Sequence, residues 1–245
     1  MTTYLNAVDD TVRWAYRQPQ NSVYRRMEIY EADCVTQWFP SISTERLIGG
    51  SINLSYDRDE RRQLNSLQIA NFDGILSYDP NGFWYDKVLK IFRGLRFWYE
   101  GNYFEYEAQV GEFEIDKITE PAFPHVLTVN GRDHTKRLLN DKFAEATTFT
   151  ANSKVDDVVK TIAYNGGITK FRLNSGGVTL GADLALDKDS TRWAGIKSAT
   201  TPYALDAYFD REGYLVTEPQ SDVSTTAPYF IFGADDDTDG ASTAE

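Results

Sequence analysis

The chain has 245 residues, a formal net charge of −12 and a sequence pI near 4.7. Because nucleic-acid affinity comes mainly from lysine and arginine that displace phosphate counterions, this charge argues against sequence-specific nucleic-acid binding. No apolar run approaches the roughly 18 residues that span a bilayer, and no basic segment precedes an apolar one at the N-terminus. We therefore expect neither membrane insertion nor a signal peptide.

Aromatic residues make up 14% of the chain, and this share favours strands and partner surfaces. There is a single cysteine, Cys34, so an internal disulfide is excluded. Cysteine packs as a small hydrophobe, so Cys34 is expected to be buried in a strand.

From about residue 23 to 129, apolar and polar side chains alternate with a period of two, which is typical of strands with one buried face. The best pair of strands runs from Val88 to Val110, with a hairpin turn at Glu100-Gly101-Asn102. Short turns recur between these segments, including Asn71-Phe72-Asp73-Gly74. The pattern predicts a barrel or a sandwich.

The periodicity changes near residue 133. Asp133 is expected to cap a short helix, and Ser153 with Asp156 to begin a second helix that ends at Asn165-Gly166-Gly167. A third helix is expected to begin at Ser190 or Thr191, with Trp193 and Ile196 facing inward, followed by a hairpin that turns at residues 210–213. The second half is therefore predicted to be a small lobe of helices and a hairpin.

Little in the sequence indicates catalysis or metal binding. His125 and His134 are the only histidines, and both are expected at the surface or at a helix cap. The common hydrolase, zinc-protease and phosphate-loop motifs are missing. Residues 235–240 begin like a calcium loop, but the glutamate due at position twelve would fall past Glu245, so a flexible acidic tail is expected. The sequence predicts no catalytic residue, no cofactor and no metal site.

A series of motifs resembles the first domain of minor tail or baseplate hub proteins of long-tailed phages. The resemblance covers roughly residues 23–217. The motifs are Asp57-Arg58-Asp59-Glu60-Arg61-Arg62, Phe72-Asp73-Gly74, Gly82-Phe83-Trp84-Tyr85-Asp86-Lys87-Val88, and the segments at 110–116, 131–136, 142–144, 167–171, 190–193 and 207–215.

This resemblance implies a hub similar to those of contractile phages and type VI secretion spikes. The implied fold is mainly β, a tail-tube-like β-barrel followed by an α+β lobe of two helices and a β-hairpin. The implied division is an N-terminal extension (1–22), the barrel (23–142), the lobe (143–217) and an acidic C-terminal segment (218–245). Such hubs are usually trimers with two barrels per chain. The sequence accounts for one barrel, with a second expected near Tyr229 to Phe232, so truncation, a separate chain or a hexamer are all open.

The function that follows is non-enzymatic. We expect a ring at the phage tail tip, assembled in the host cytoplasm, that joins the tail tube to tip proteins and contacts a distal tail protein and a tape measure protein. Its acidic residues are expected to line the DNA channel. The candidate interface residues are Trp84, Tyr85, Phe97, Trp98, Tyr99, Arg58, Arg61 and Arg62, although each aromatic residue fits a core position equally well.

Two other interpretations are open at this point. A carbohydrate-binding β-sandwich of a receptor-binding tail protein would stack exposed Trp and Tyr rings on host sugars. A tail-associated wall hydrolase would need two carboxylates facing each other across a cleft.

Overall fold

The computed structural model describes residues 18, 22–56, 58–76, 84, 86–99, 101–120 and 125–220. The N-terminal extension and the C-terminal segment, including Tyr229 to Phe232 and the acidic run at 235–240, lie outside the described residues. The first half consists of seven strands. They are β1 (Ser22–Tyr30), β2 (Gln37–Ile42), β3 (Leu47–Leu54), β4 (Arg62–Ala70), β5 (Val88–Tyr99), β6 (Asn102–Thr119) and β7 (Val126–Arg132).

These strands form one antiparallel sheet in the order β2-β1-β5-β6-β7-β4-β3. The predicted hairpin is confirmed: β5 pairs with β6 from Val88 opposite Glu114 to Tyr99 opposite Asn102. Gly101 takes a positive φ of 78° in the turn, a conformation that glycine adopts without steric penalty. The mainly-β prediction for this half is therefore confirmed.

The sheet is curled but open, which corrects the expectation of a barrel. Only residues 43–46 separate the edge strands β2 and β3. The five Cα–Cα steps from Ile42 to Leu47 span at most about 19 Å, so the end of β2 lies close to the start of β3. The strand order is nevertheless linear, and no pairing between β2 and β3 occurs among the described residues. Pro40 in β2 lacks a main-chain donor, which makes this edge a poor partner for closure.

The sheet has a hydrophobic core of its own. The buried side chains come from strands across the whole sheet, because alternate residues of each strand face inward. They include Met27, Ile29, Ile42, Leu47, Leu64, Ile69, Leu89, Phe113, Leu127 and Val129.

The second half is a mixed lobe. Its helices are α1 (Thr135–Asn140), α2 (Val155–Asn165) and α3 (Arg192–Thr200), and a 3-10 turn follows at Thr201–Tyr203. Its short strands are β8 (Thr147–Phe149), β9 (Phe171–Leu173), β10 (Leu184–Leu186), β11 (Leu205–Phe209) and β12 (Leu215–Pro219). β8 pairs with β10, and β12 lies between β11 and β9. The second and third predicted helices and the hairpin are confirmed, whereas β8, β9 and β10 were not predicted.

The lobe has a core of its own. Aliphatic residues recur at helical spacing along the inward face of α2, as expected of an amphipathic helix. Trp193 and Ile196 of α3 pack against this face, as predicted. The members include Leu138, Val155, Val158, Val159, Ile162, Trp193, Ile196, Phe209 and Leu215. No helix in the described part of the chain has both the length and the apolar character needed to cross a bilayer.

Helix ends follow the predicted signals in part. Thr191 caps α3, with its hydroxyl oxygen accepting from the Ala194 amide at 3.1 Å. Ser153 does not cap α2, because the helix begins one residue later and its N-cap is Lys154. The Asp156 carboxylate instead accepts from the Ser175 amide at 3.1 Å, so it serves a loop contact rather than a capping box.

Candidate functional site

A cluster of charged side chains lies where the curled sheet meets the lobe. It consists of Cys34, Glu112, Glu114, His134, Arg137 and Lys170, and we call it the junction cluster. Glu112 and Glu114 are two residues apart on β6, so they project from the same face of the strand. The other members come from the turn after β1, from the start and body of α1, and from the segment before β9.

His134 is the centre of the cluster. Its Nδ1 lies 2.8 Å from Glu114 Oε1 and its Nε2 lies 3.0 Å from Glu112 Oε1, and the ring is buried. Burial lowers the pKa of His134, but hydrogen bonds with Cys34, Glu112 and Glu114 outweigh it, so the pKa is raised well above its ordinary value. The two carboxylates therefore favour the imidazolium form of His134, in which both ring nitrogens carry a proton to donate.

Glu112 is the most deeply buried acid of the cluster. Lys170 Nζ donates to both of its oxygens, at 3.1 and 3.0 Å, and also to the Glu212 carbonyl at 3.1 Å. Burial raises the pKa of Glu112, but the contacts with His134 and Lys170 outweigh burial and lower this pKa to about 2. A carboxylate of the sheet is thus bonded to a lysine of the lobe, and this pair ties the two halves together.

Arg137 extends the connection on the other side of His134. Its Nε lies 2.8 Å from Glu114 Oε1. Its two terminal nitrogens donate to the Gly167 carbonyl of the lobe at 3.1 Å and to the Ala32 carbonyl after β1 at 3.2 Å. One guanidinium therefore links three segments, and a cleft of about 130 Å³ opens beside it.

Cys34 lies in a turn, which contradicts its predicted place inside a strand. Asp33 Oδ1 accepts from the amides of Val35 and Thr36, both at 2.8 Å, and this turn forces Cys34 to a φ of 60°. The thiol is half-buried and points into the junction cluster, with Sγ 4.0 Å from His134 Nε2.

The two histidines differ in their surroundings. His125 is exposed just before β7, as predicted. His134 directly precedes α1, but its side chain caps nothing and is buried, so its predicted surface position is wrong. Asp133 performs the capping, because its Oδ1 accepts from the Thr135 amide at 3.1 Å.

The predicted aromatic interface residues separate into interior and surface groups. Trp84 is 2% exposed and Phe97 5% exposed, so both are core residues of this chain. Trp98 is 67% exposed and meets Tyr103 edge to face, with ring centroids 5.6 Å apart. Tyr85 and the side chain of Tyr99 lie outside the described residues.

Two of the three predicted interface arginines contact the chain's own lobe. Arg61 Nη2 lies 3.0 Å from Asp206 Oδ2, and its guanidinium stacks 4.2 Å from the Tyr208 ring centroid. Arg62 donates from Nη1 to the Phe209 carbonyl at 3.3 Å. Arg58 remains on the surface. Arg61 and Arg62 thus form a second junction between sheet and lobe.

The edges of the sheet are the remaining candidate surface. β3 has eight residues, and Ile48 and Leu54 on it are exposed apolar side chains. An edge strand with free main-chain groups and apolar side chains readily pairs with another strand. β2 is the poorer edge because of Pro40.

The fold of this chain has structural neighbours among solved phage tail proteins. The chain is similar to the 43 kDa tail protein of prophage MuSo2 from Shewanella oneidensis, with a TM-score of 0.55 and 12% identity over 82% of this chain and 56% of that one. It is also similar to a tail protein from Neisseria meningitidis, with a TM-score of 0.48 and 11% identity over 84% and 52%. A chain of the Francisella PdpA-VgrG complex has a TM-score of 0.47 and 10% identity over 86% and 34%.

The chain spans about half the length of the Shewanella and Neisseria tail proteins. No family model matches the sequence, and no curated protein matches it. The likeness therefore lies in the fold.

Proposed function

We propose that this chain is a non-catalytic structural component of a phage tail, a baseplate hub subunit in the virion at the tail tip. It forms a ring that joins the tail tube to tip proteins, next to a distal tail protein and a tape measure protein, and it assembles in the host cytoplasm. The observation that carries this proposal is the fold, which matches the Shewanella tail protein over 82% of this chain.

Ring closure requires a surface that pairs one copy with the next. The β3 edge suits this role because, among the described residues, β3 pairs with a strand on one side only, and the side chains of Ile48 and Leu54 are exposed. A trimer or a hexamer are both consistent with a single curled sheet per chain, so the number of copies is the first quantity to measure.

A second contact surface lies at the tip of the β5–β6 hairpin. Trp98 and Tyr103 pair across the two strands there, and both are exposed. Aromatic residues are enriched at protein interfaces because they bury large areas at little entropic cost. We assign this pair to contacts with a neighbouring tail protein.

The net charge suits a conduit for DNA. Acidic residues facing the bore would repel phosphates, so the nucleic acid would pass without being held. An electron cryomicroscopy map of the assembled ring tests this directly: an acidic bore is expected, and a basic bore would contradict the proposed channel.

The carbohydrate-binding alternative has one observation in its favour, the exposed ring of Trp98. The strand-rich half, however, is one curled sheet over the described residues rather than two facing sheets. Glycan-array binding by a monomeric chain would support this alternative against the ring.

The deciding experiment is native mass spectrometry of the purified full chain, with Ile48→Lys as the test variant. We expect three or six copies for the parent chain and a shift toward monomer for Ile48→Lys, since a lysine on an edge strand opposes pairing. Tyr164→Lys, which alters an exposed aromatic residue on α2, is the matched control and should leave the oligomer unchanged. A strictly monomeric parent chain would contradict the ring.

A further inference from the structure

We propose that Cys34, Glu112 and His134 form a binding site for a thiophilic divalent cation, Zn²⁺ in the first place. The site lies inside one subunit, so it does not depend on the proposed ring. It would fasten the turn after β1 to β6 and to the start of α1.

The spacing of the donor atoms supports the site. One ligand atom from each residue lies within 4.8 Å of the others. His134 Nε2 is 3.0 Å from Glu112 Oε1 and 4.0 Å from Cys34 Sγ. In a tetrahedral site with Zn–S near 2.3 Å and Zn–N near 2.0 Å, the sulfur and nitrogen are about 3.5 Å apart. The thiol would therefore have to approach Nε2 by about half an ångström to reach this separation.

The orientation of His134 is the one that metal-ligating histidines show. Such a ring usually donates its other N–H to a carboxylate, which fixes the tautomer and the direction of the free nitrogen. Here Nδ1 faces Glu114 Oε1 at 2.8 Å, and Nε2 faces the other two donors. Glu114 in turn pairs with Arg137 Nε at 2.8 Å, so the carboxylate that orients His134 is itself held in place.

Glu112 can bind the ion without losing its contact with Lys170. Lys170 Nζ lies 3.1 Å from Oε1 and 3.0 Å from Oε2, so it would keep its bond to Oε2 while Oε1, the oxygen beside His134, turns to the ion. The cleft beside the cluster, about 130 Å³ in volume, borders all three donors and leaves space for water as a fourth ligand.

Cys34 is held in a conformation that presents its thiol to the cluster. Its φ of 60° is unusual for a residue other than glycine, and strained backbone of this kind often occurs at ligand sites. Lys90 Nζ donates to the Cys34 carbonyl at 2.7 Å and fixes the turn against β5. Thiol and imidazole ligands bind metals in their deprotonated forms, so Zn²⁺ would take the place of protons at this site.

The test uses the full chain, stripped with a chelator and then titrated with Zn²⁺ against a chromophoric competitor. We expect one ion per chain with micromolar or tighter affinity. Co²⁺ is the spectroscopic probe, and a thiolate-to-cobalt charge-transfer band in the near ultraviolet would report the Cys34 bond.

Three variants make the test specific. Cys34→Ser should abolish the charge-transfer band and weaken Zn²⁺ binding at least 100-fold. Glu114→Gln should weaken binding about tenfold while the band remains, because Glu114 orients His134 without touching the ion. Glu145→Gln, an exposed carboxylate away from the cluster, is the control and should change nothing. Absence of stoichiometric binding, or equal affinity in a folded Cys34→Ser chain, would overturn the site.

Discussion

Gly213 lies so close to the buried carboxylate of Glu112 that a side chain at this position would collide with it. A Cβ built at Gly213 would lie 2.8 Å from Glu112 Cδ, and the φ of Gly213 is +78°. The turn of the β11–β12 hairpin therefore reaches the sheet only because this residue is glycine.

Gly213→Ala is expected to lower the free energy of unfolding by about 2–4 kcal/mol, since it combines backbone strain with a collision at a buried charge. Gly176→Ala separates the two effects, because Gly176 has a φ of +68° and nothing within 4 Å of its built Cβ. The control variant Gly176→Ala should lower the free energy of unfolding, measured by urea denaturation, by only about 1 kcal/mol. Equal losses for the two variants would show that the contact with Glu112 is unimportant.

The junction cluster should make stability depend on pH in both directions. The pKa of Glu112 is lowered from 4.5 to about 2, so its contribution is present above pH 4.5 and lost as the pH falls toward 2. The pKa of His134 is raised above 6.5, so its contribution is present below pH 6.5 and lost as the pH rises through the folded-state value. Maximum stability is therefore expected at about pH 5–6.5.

Glu112→Gln tests the acid side of this profile. The shift in pKa corresponds to stability on the order of 3 kcal/mol, so the variant should show a smaller decline between pH 4.5 and 2 than the parent chain. The remaining decline comes from groups such as Glu114 and Asp116, whose pKa values are also lowered. The measurement is the denaturation midpoint against pH with a chelator present. Glu145→Gln, at an exposed position, should retain the parent profile. An unchanged acid decline in Glu112→Gln would contradict the assignment.

The fold could be predicted from sequence wherever one face of an element is buried. Alternating apolar and polar residues predicted β5 and β6, and apolar residues at helical spacing predicted α2. Burial of one face imposes these periods on the sequence directly. The short strands β8, β9 and β10 have three residues each, too few to show a period. Barrel closure depends on contacts between distant strands, which local patterns do not contain.

The junction cluster was not predictable from the same patterns. Glu112 and Glu114 occupy the polar face of an amphipathic strand, and nothing local distinguishes a polar face covered by a lobe from one facing water. His134 looked like a residue near a helix start, and that placement along the chain was right. Its burial follows from the docking of the lobe, which brings Lys170 to the same carboxylate across 58 residues of chain.

Trp98 and Trp84 should respond in opposite ways to truncation. Trp98→Ala removes a side chain that is 67% exposed, so the unfolding free energy should change by less than about 0.5 kcal/mol while association weakens. Trp84→Ala removes a side chain that is 2% exposed and should cost about 3–5 kcal/mol. Thermal unfolding and native mass spectrometry on both variants separate the effects. A strongly destabilised Trp98→Ala would contradict its place on the surface.

Arg61 should matter to the joining of sheet and lobe, whereas Arg58 in the same charge run should not. Arg61 pairs with Asp206 at 3.0 Å and stacks on Tyr208, and its side chain is largely buried. Arg61→Ala leaves Asp206 without this partner and removes the stacked surface, so a loss of about 1–2 kcal/mol is expected.

Hydrogen exchange locates this effect more sharply than global stability does. Amides of β11 (Leu205–Phe209) should exchange faster in Arg61→Ala, because the sheet no longer holds that strand, while amides of β5 keep their protection. Arg58→Ala is the matched control, since Arg58 is exposed and, among the described residues, its side chain bonds to Gln63 at 3.4 Å rather than to the lobe. Equal exchange in the two variants would mean that Arg61 faces a partner subunit, as the sequence had suggested, rather than holding the lobe of its own chain.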